Sequence, residues 1–144
     1  MKRGRLNEKG FTLSEILLVF AIALLIGLSM LPFIQNTRKK LVRTQCANNL
    51  SQIGLGLYIY AREHDGKFPP TLKTLYDEQY LADMTLLDCP ASKNIGTFDS
   101  PDYLYAAGLS VKDPSLYPLV EDKEGNHSGR GGNVMYINGT VTWQ

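Results

Sequence analysis

The dominant pattern along the chain is one long apolar stretch. From Phe11 to Ile34 the sequence reads FTLSEILLVFAIALLIGLSMLPFI, and its one ionisable side chain is Glu15. An α-helix rises about 1.5 Å per residue, so about 20 apolar residues cross the hydrocarbon core of a bilayer. The run from Leu13 to Ile34 is long enough to do so. Beyond it the pattern narrows to a stripe. Cys46, Leu50, Ile53, Leu57 and Tyr60 recur at spacings of 4, 3, 4 and 3, as on one buried helix face. Asn48, Asn49, Ser51, Gln52, Arg62 and Glu63 fall largely off that stripe. His64-Asp65-Gly66 reads as a stop, with Gly66 free to take a left-handed conformation. The prediction is one helix from about residue 12 to residue 63, roughly 75 Å long at standard rise. Only its first half fits within lipid, so its second half is expected to be the spine of a soluble domain. Gly54 and Gly56 on that second half lower helix propensity and imply close packing or local irregularity.

After the stop, Phe68-Pro69-Pro70 forms an extended connector, and Thr71 is placed to cap a short helix reaching about Tyr80. Leu72, Leu75 and Tyr76 would face inward there. Cys89-Pro90 leads into a loop of small and polar residues. Four runs then carry strand character: Tyr103–Ala107, Leu116–Glu121, Asn133–Ile137 and Thr140–Trp143. Asn138-Gly139 separates the last two and is the best two-residue hairpin signal in the chain. The expected class is α+β, a long N-terminal helix packed on a small antiparallel sheet.

Charge sharpens the picture at the N-terminus. Residues 1–10 carry Lys2, Arg3, Arg5 and Lys9 against Glu8, which favours a cytoplasmic start. Arg38, Lys39, Lys40 and Arg43 follow the apolar run, so charge alone does not orient it. A secretory signal peptide would have a shorter apolar core and a small-residue cleavage site after it, and Pro32-Phe33-Ile34-Gln35-Asn36 offers none. An ordinary anchor explains the length but not Glu15. An acid at the centre of a membrane helix costs about 2.5–3.5 kcal/mol, less toward an end, and calls for a partner.

The string Lys9-Gly10-Phe11-Thr12-Leu13-Ser14-Glu15 resembles the leader and processing site of type IV pilins and type II secretion pseudopilins. The resemblance implies a prepilin peptidase that cuts after Gly10 and methylates the new amine on Phe11. It implies a leader at residues 1–10, a membrane or filament-core helix at 11–34, and a periplasmic pilin-like domain at 35–144. Pro32 falls where many members of that family carry a proline, which would kink or locally melt the helix. Glu15 would pair with a Phe11 amine, the neighbour's for preference, and so set the register of subunits in a filament. The implied partners are other pilin-like subunits, the peptidase, and an inner-membrane platform driven by a cytoplasmic ATPase. The implied role is structural, in a pseudopilus or pilus and by preference in type II secretion. Cys46-Ala47-Asn48-Asn49-Leu50-Ser51-Gln52-Ile53-Gly54, Phe68-Pro69-Pro70 and Cys89-Pro90 resemble a pseudopilin-like branch. Members of that branch often end on His, about nine residues, then Asp-Gly. This chain has His127, ten residues and Asn138-Gly139, so no role carries over to His127.

Composition adds limits. The chain has 144 residues, a net charge of +1 and two cysteines, which suits one small domain plus an anchor and gives no electrostatic case for nucleic acid. Cys46 and Cys89 lie on the same side of the apolar run. In an extracytoplasmic compartment they would form a disulfide, worth about 4 kcal/mol on the chain-entropy model. The alternative is two thiols, with Cys46 one more apolar residue of the helix face. Glu121, Asp122, Glu124 and Asn126 are calcium candidates, although Lys123 interrupts them and the EF-hand spacing is absent, so a solvated turn is the plainer reading. Gly129-Arg130-Gly131-Gly132 lacks the P-loop ending. His64 and His127 sit in no nucleophile or metal-ligand pattern, and an enzyme is not expected. The competing class is a binding module, anchored in the membrane or at a filament tip, for DNA, glycan or a surface.

Overall fold

The computed structural model describes residues 12–127, 129 and 131–144. Its elements are helix α1 (Leu13–Glu63), helix α2 (Leu72–Asp77), a 3-10 turn (Met84–Leu87) and strands β1 (Tyr103–Tyr105), β2 (Pro118–Asp122), β3 (Asn133–Tyr136) and β4 (Val141–Trp143). The chain divides into two compact units, one ending at Arg38 and the other Lys39–Gln144.

In the first unit α1 runs through Pro32 without a break, so the local melting expected there does not occur. Proline removes one donor and leaves the carbonyl four residues earlier without its usual partner, but the helix bonds on either side persist. Ser29 Oγ donates to the Ile26 carbonyl at 2.8 Å, a side-chain bond into the turn just before the proline.

In the second unit the sheet order is β1-β2-β3-β4, all antiparallel. The C-terminal part of α1 lies on it through the expected stripe. Cys46, Leu50, Ile53, Leu57 and Tyr60 are buried and join Leu119, Val120, Met135 and Ile137 in one core. Each fully buried aliphatic side chain contributes about 1.5–3 kcal/mol. The two helix glycines mark close approaches. A Cβ on Gly54 would collide with Met135 Sδ of β3, and one on Gly56 would sit 2.7 Å from the Tyr80 carbonyl oxygen. Gly66 ends the helix at φ 82°, and its N–H donates to the Ala61 carbonyl at 2.8 Å.

Three details differ from the sequence expectation. Helix α2 stops at Asp77 because Gln79 takes φ 64°, and the N–H groups of Tyr80 and Leu81 both close onto the Leu75 carbonyl. Thr71 does cap it, accepting from the Thr74 N–H at 3.2 Å. The 3-10 turn, capped by Asp83, lies in a stretch where no element was expected. The β3–β4 connection is a three-residue loop rather than a two-residue turn. The Tyr136 N–H donates to Thr140 O, the Gly139 N–H donates to Tyr136 O, and only Gly139 has positive φ. A two-residue turn of the Asn-Gly kind needs both central residues there. Buried Ile137, whose N–H donates to Tyr117 O, belongs to the core and fixes the longer loop.

Candidate functional site

The first unit carries the assembly candidates. Every described residue from Thr12 to Leu41 is exposed, including Leu13 at 77%, Phe20 at 71% and Phe33 at 70%. By length and composition α1 holds a stretch able to cross a membrane, consistent with a single-pass anchor. A helix that is apolar on all faces has no water-facing side, so its burial must come from lipid or from other chains. Pro32 lies within this stretch. Gly10 and Phe11, the processing candidates, lie outside the described residues.

Glu15 is held in a specific local arrangement. Thr12 N–H and Thr12 Oγ each donate to Glu15 Oε2 at 2.8 Å, and the Glu15 N–H lies 3.4 Å from Thr12 Oγ. This is a reciprocal capping box, which satisfies donors that the first helical turn otherwise leaves open. A negative charge in the first turn is also favoured by the helix dipole. Glu15 is therefore fixed at the very start of α1. Thr12 was missed in the sequence reading, although a Thr-x-x-Glu string ahead of an apolar run is a legible signature of this cap.

The second unit brings other residues together. Cys46 and Cys89 are joined as a disulfide, with Cα atoms 5.5 Å apart. The bond ties α1 to the segment following the 3-10 turn. Cys89 is further placed by its N–H, which donates to Asp102 Oδ2 at 3.0 Å.

The four calcium candidates do not share a turn. Glu121 and Asp122 are consecutive residues of β2 and so face opposite sides of the sheet. Asp122 is buried, and its Oδ2 accepts from the Asn133 N–H at 2.6 Å and from Asn133 Nδ2 at 2.9 Å. Asn126 is buried too, its amide donating to the Asp102 carbonyl at 2.7 Å, while Glu124 is exposed. His127 comes instead to Asp122, with Nε2 3.0 Å from Oδ2 and 3.6 Å from Cys89 Sγ. Its ring meets the edge of Trp143, over which Arg43 lies 4.0 Å from the ring centroid.

Burial pushes the Tyr103 and Tyr105 phenols well above their ordinary value. Tyr80 is pushed up to about 12, chiefly because its hydroxyl donates to Glu63 Oε2 at 2.6 Å.

Comparison with known proteins gives one informative match. The chain is 30% identical, over 90 residues, to a ComG operon protein 3 homolog of Bacillus licheniformis; the match covers 62% of this chain and 90% of that protein. No family model matches the chain. No solved structure matches it.

Proposed function

The chain belongs to the ComG operon protein 3 family, and from that premise we propose that it is a structural subunit of a competence pilus-like filament. The observation that carries this reading is the wholly exposed apolar part of α1 with Glu15 capped at its head. In the proposed sequence of events, a prepilin peptidase removes residues 1–10 and methylates Phe11. Until then the helix waits as a single-pass anchor, with its N-terminus cytoplasmic and the domain that follows on the exported side. Assembly then transfers the helix from lipid to a core of other pilin-like subunits, on a membrane platform powered by a cytoplasmic ATPase. Glu15 pairs there with a Phe11 amine and sets the subunit register. A type II secretion pseudopilus is the second reading, favoured by the likeness of the Cys46–Gly54 and Cys89-Pro90 segments to pseudopilins. The ComG relative weighs against it.

The mass of the mature protein tests the processing step. Loss of residues 1–10 with gain of one methyl group is expected, and a chain still starting at Met1 would overturn it. The role of Glu15 is tested with two substitutions. Glu15→Gln keeps an acceptor for the Thr12 cap and loses the charge, whereas Glu15→Ala loses both. Both variants are expected to be processed and to form no filaments. Normal filaments from Glu15→Gln would refute the charge pairing and leave Glu15 a helix cap.

A further inference from the structure

The surroundings of the disulfide contain more chemistry than a disulfide uses. Cys46 Sγ, Cys89 Sγ, His127 and Asp122 place one ligand atom each within 4.8 Å of one another. The His127 and Asp122 side chains are only 7% and 1% exposed. Among the described residues, buried Asp122 Oδ1 has no hydrogen-bond partner, while Oδ2 accepts from Asn133. A buried carboxylate oxygen without a partner is costly, and a water or a bound cation there would relieve it.

We propose that these four residues form a zinc site that is available while Cys46 and Cys89 are thiols, and that the disulfide and the metal are alternative ways of closing the same point of the fold. Two sulfurs, one imidazole nitrogen and one carboxylate oxygen are a donor set suited to four-coordinate Zn2+. Bonds of about 2.0–2.3 Å place tetrahedral ligand atoms roughly 3.3–3.8 Å apart. The spacing of 3.6 Å from Cys89 Sγ to His127 Nε2 already falls in that range, and the Asp122 carboxylate lies beside the same nitrogen, its Oδ2 at 3.0 Å. Asn133 donates to Asp122 from both its backbone and its side chain, which is the outer support that orients a ligating carboxylate. The free Oδ1 is the oxygen left to take the metal.

The chemistry balances in both directions. When Zn2+ enters the dithiol form, two Zn–S bonds form and the two thiol protons are released. When an exchanging disulfide oxidises the site, two electrons pass from the bound sulfurs to that disulfide. The S–S bond forms, the acceptor takes up two protons from solvent to become two thiols, and Zn2+ leaves.

Cobalt titration of the full chain in detergent micelles tests this, after reduction with a phosphine. One Co2+ per reduced chain is expected, with the intense visible bands of four-coordinate thiolate cobalt, displaced by Zn2+. The oxidised chain is expected to show none of these bands. His127→Ala and Asp122→Asn, purified oxidised and shown to fold by circular dichroism, should each weaken binding by about tenfold or more after reduction. The unsubstituted chain supplies a second readout, since Zn2+ should raise the melting temperature of the reduced form and leave that of the oxidised form unchanged. Absence of the bands, absence of that shift, or variants that bind as tightly as the unsubstituted chain would overturn the site. Six-coordinate cobalt spectra would mean surface binding only, and would overturn it too.

Discussion

The two parts of α1 obey opposite rules. From Ile16 to Ile34 the exposed side chains are apolar except Ser29, whereas from Cys46 onward Cys46, Leu50, Ile53, Leu57 and Tyr60 form a buried stripe and most polar side chains face out. The same secondary structure thus serves two solvents. In the first unit the helix is self-sufficient in backbone hydrogen bonds and its side chains await lipid or other subunits. In the second unit the helix depends on the sheet, as most helices in water depend on tertiary packing. Stability and assembly are therefore expected to be separable by mutation, each lodged in its own unit.

The strongest challenge to that separation is the double substitution Cys46→Ser, Cys89→Ser. Measured without metal, it should lower the unfolding free energy of the Lys39–Gln144 unit by about 4 kcal/mol, read by denaturant unfolding. Processing at the N-terminus should be unaffected. Next, Leu57→Ala should cost about 2–5 kcal/mol, because Leu57 is fully buried. Leu24→Ala should leave the same unfolding curve within about 0.5 kcal/mol. A destabilising Leu24→Ala would break the comparison. Gly56→Ala sharpens it on a smaller scale. Alanine is the better helix former, yet its Cβ would press on the Tyr80 carbonyl, so a net loss of about 1–3 kcal/mol is expected by thermal melting. A gain would show that the helix and the Tyr80 segment part easily.

The smallest effect is a pH dependence confined to the packed unit. The buried Tyr103 and half-buried Tyr105 phenols have raised pKa values, so folding favours their neutral, protonated forms. Their contribution is fully present below the ordinary phenol value of about 10 and is lost as pH rises beyond it. Thermal melts above that pH should show falling stability, with a shallower fall in Tyr103→Phe. An equal slope in the two proteins would remove Tyr103 from the account.

Much of this architecture was legible in the sequence because it rests on local periodicity. The Cys46–Tyr60 stripe, the Gly66 stop, the Thr71 cap and all four strand locations follow from side-chain spacing and turn chemistry. Where tertiary contacts compete with local preference, the reading fell short. Asn138-Gly139 has the chemistry of a two-residue turn, but the buried Ile137 draws the loop to three residues. Gln79 at positive φ, which ends α2, carries no sequence signal. The grouping around the disulfide was not legible for a different reason. Cys46, Cys89, Asp122 and His127 come from a helix, a loop, a strand and a turn, and only the folded sheet brings them within reach of one another. The acidic residues that looked like one loop are separated because Asp122 completes β2 and turns inward.

The position of Cys46 also has a mechanical consequence. It is the first buried residue met along α1 from its N-terminal end, ahead of Leu50, Ile53 and Leu57. A pull on that end reaches Val42 at the edge of the core, then the Asn133–Arg43 hydrogen bond and the Arg43–Trp143 stack, and then a covalent link. Noncovalent stripes peel one contact at a time, whereas a crosslink at the leading edge stops the peel before it starts. Under tension the load passes through sulfur into the body of the domain, and the apolar stripe behind it is shielded.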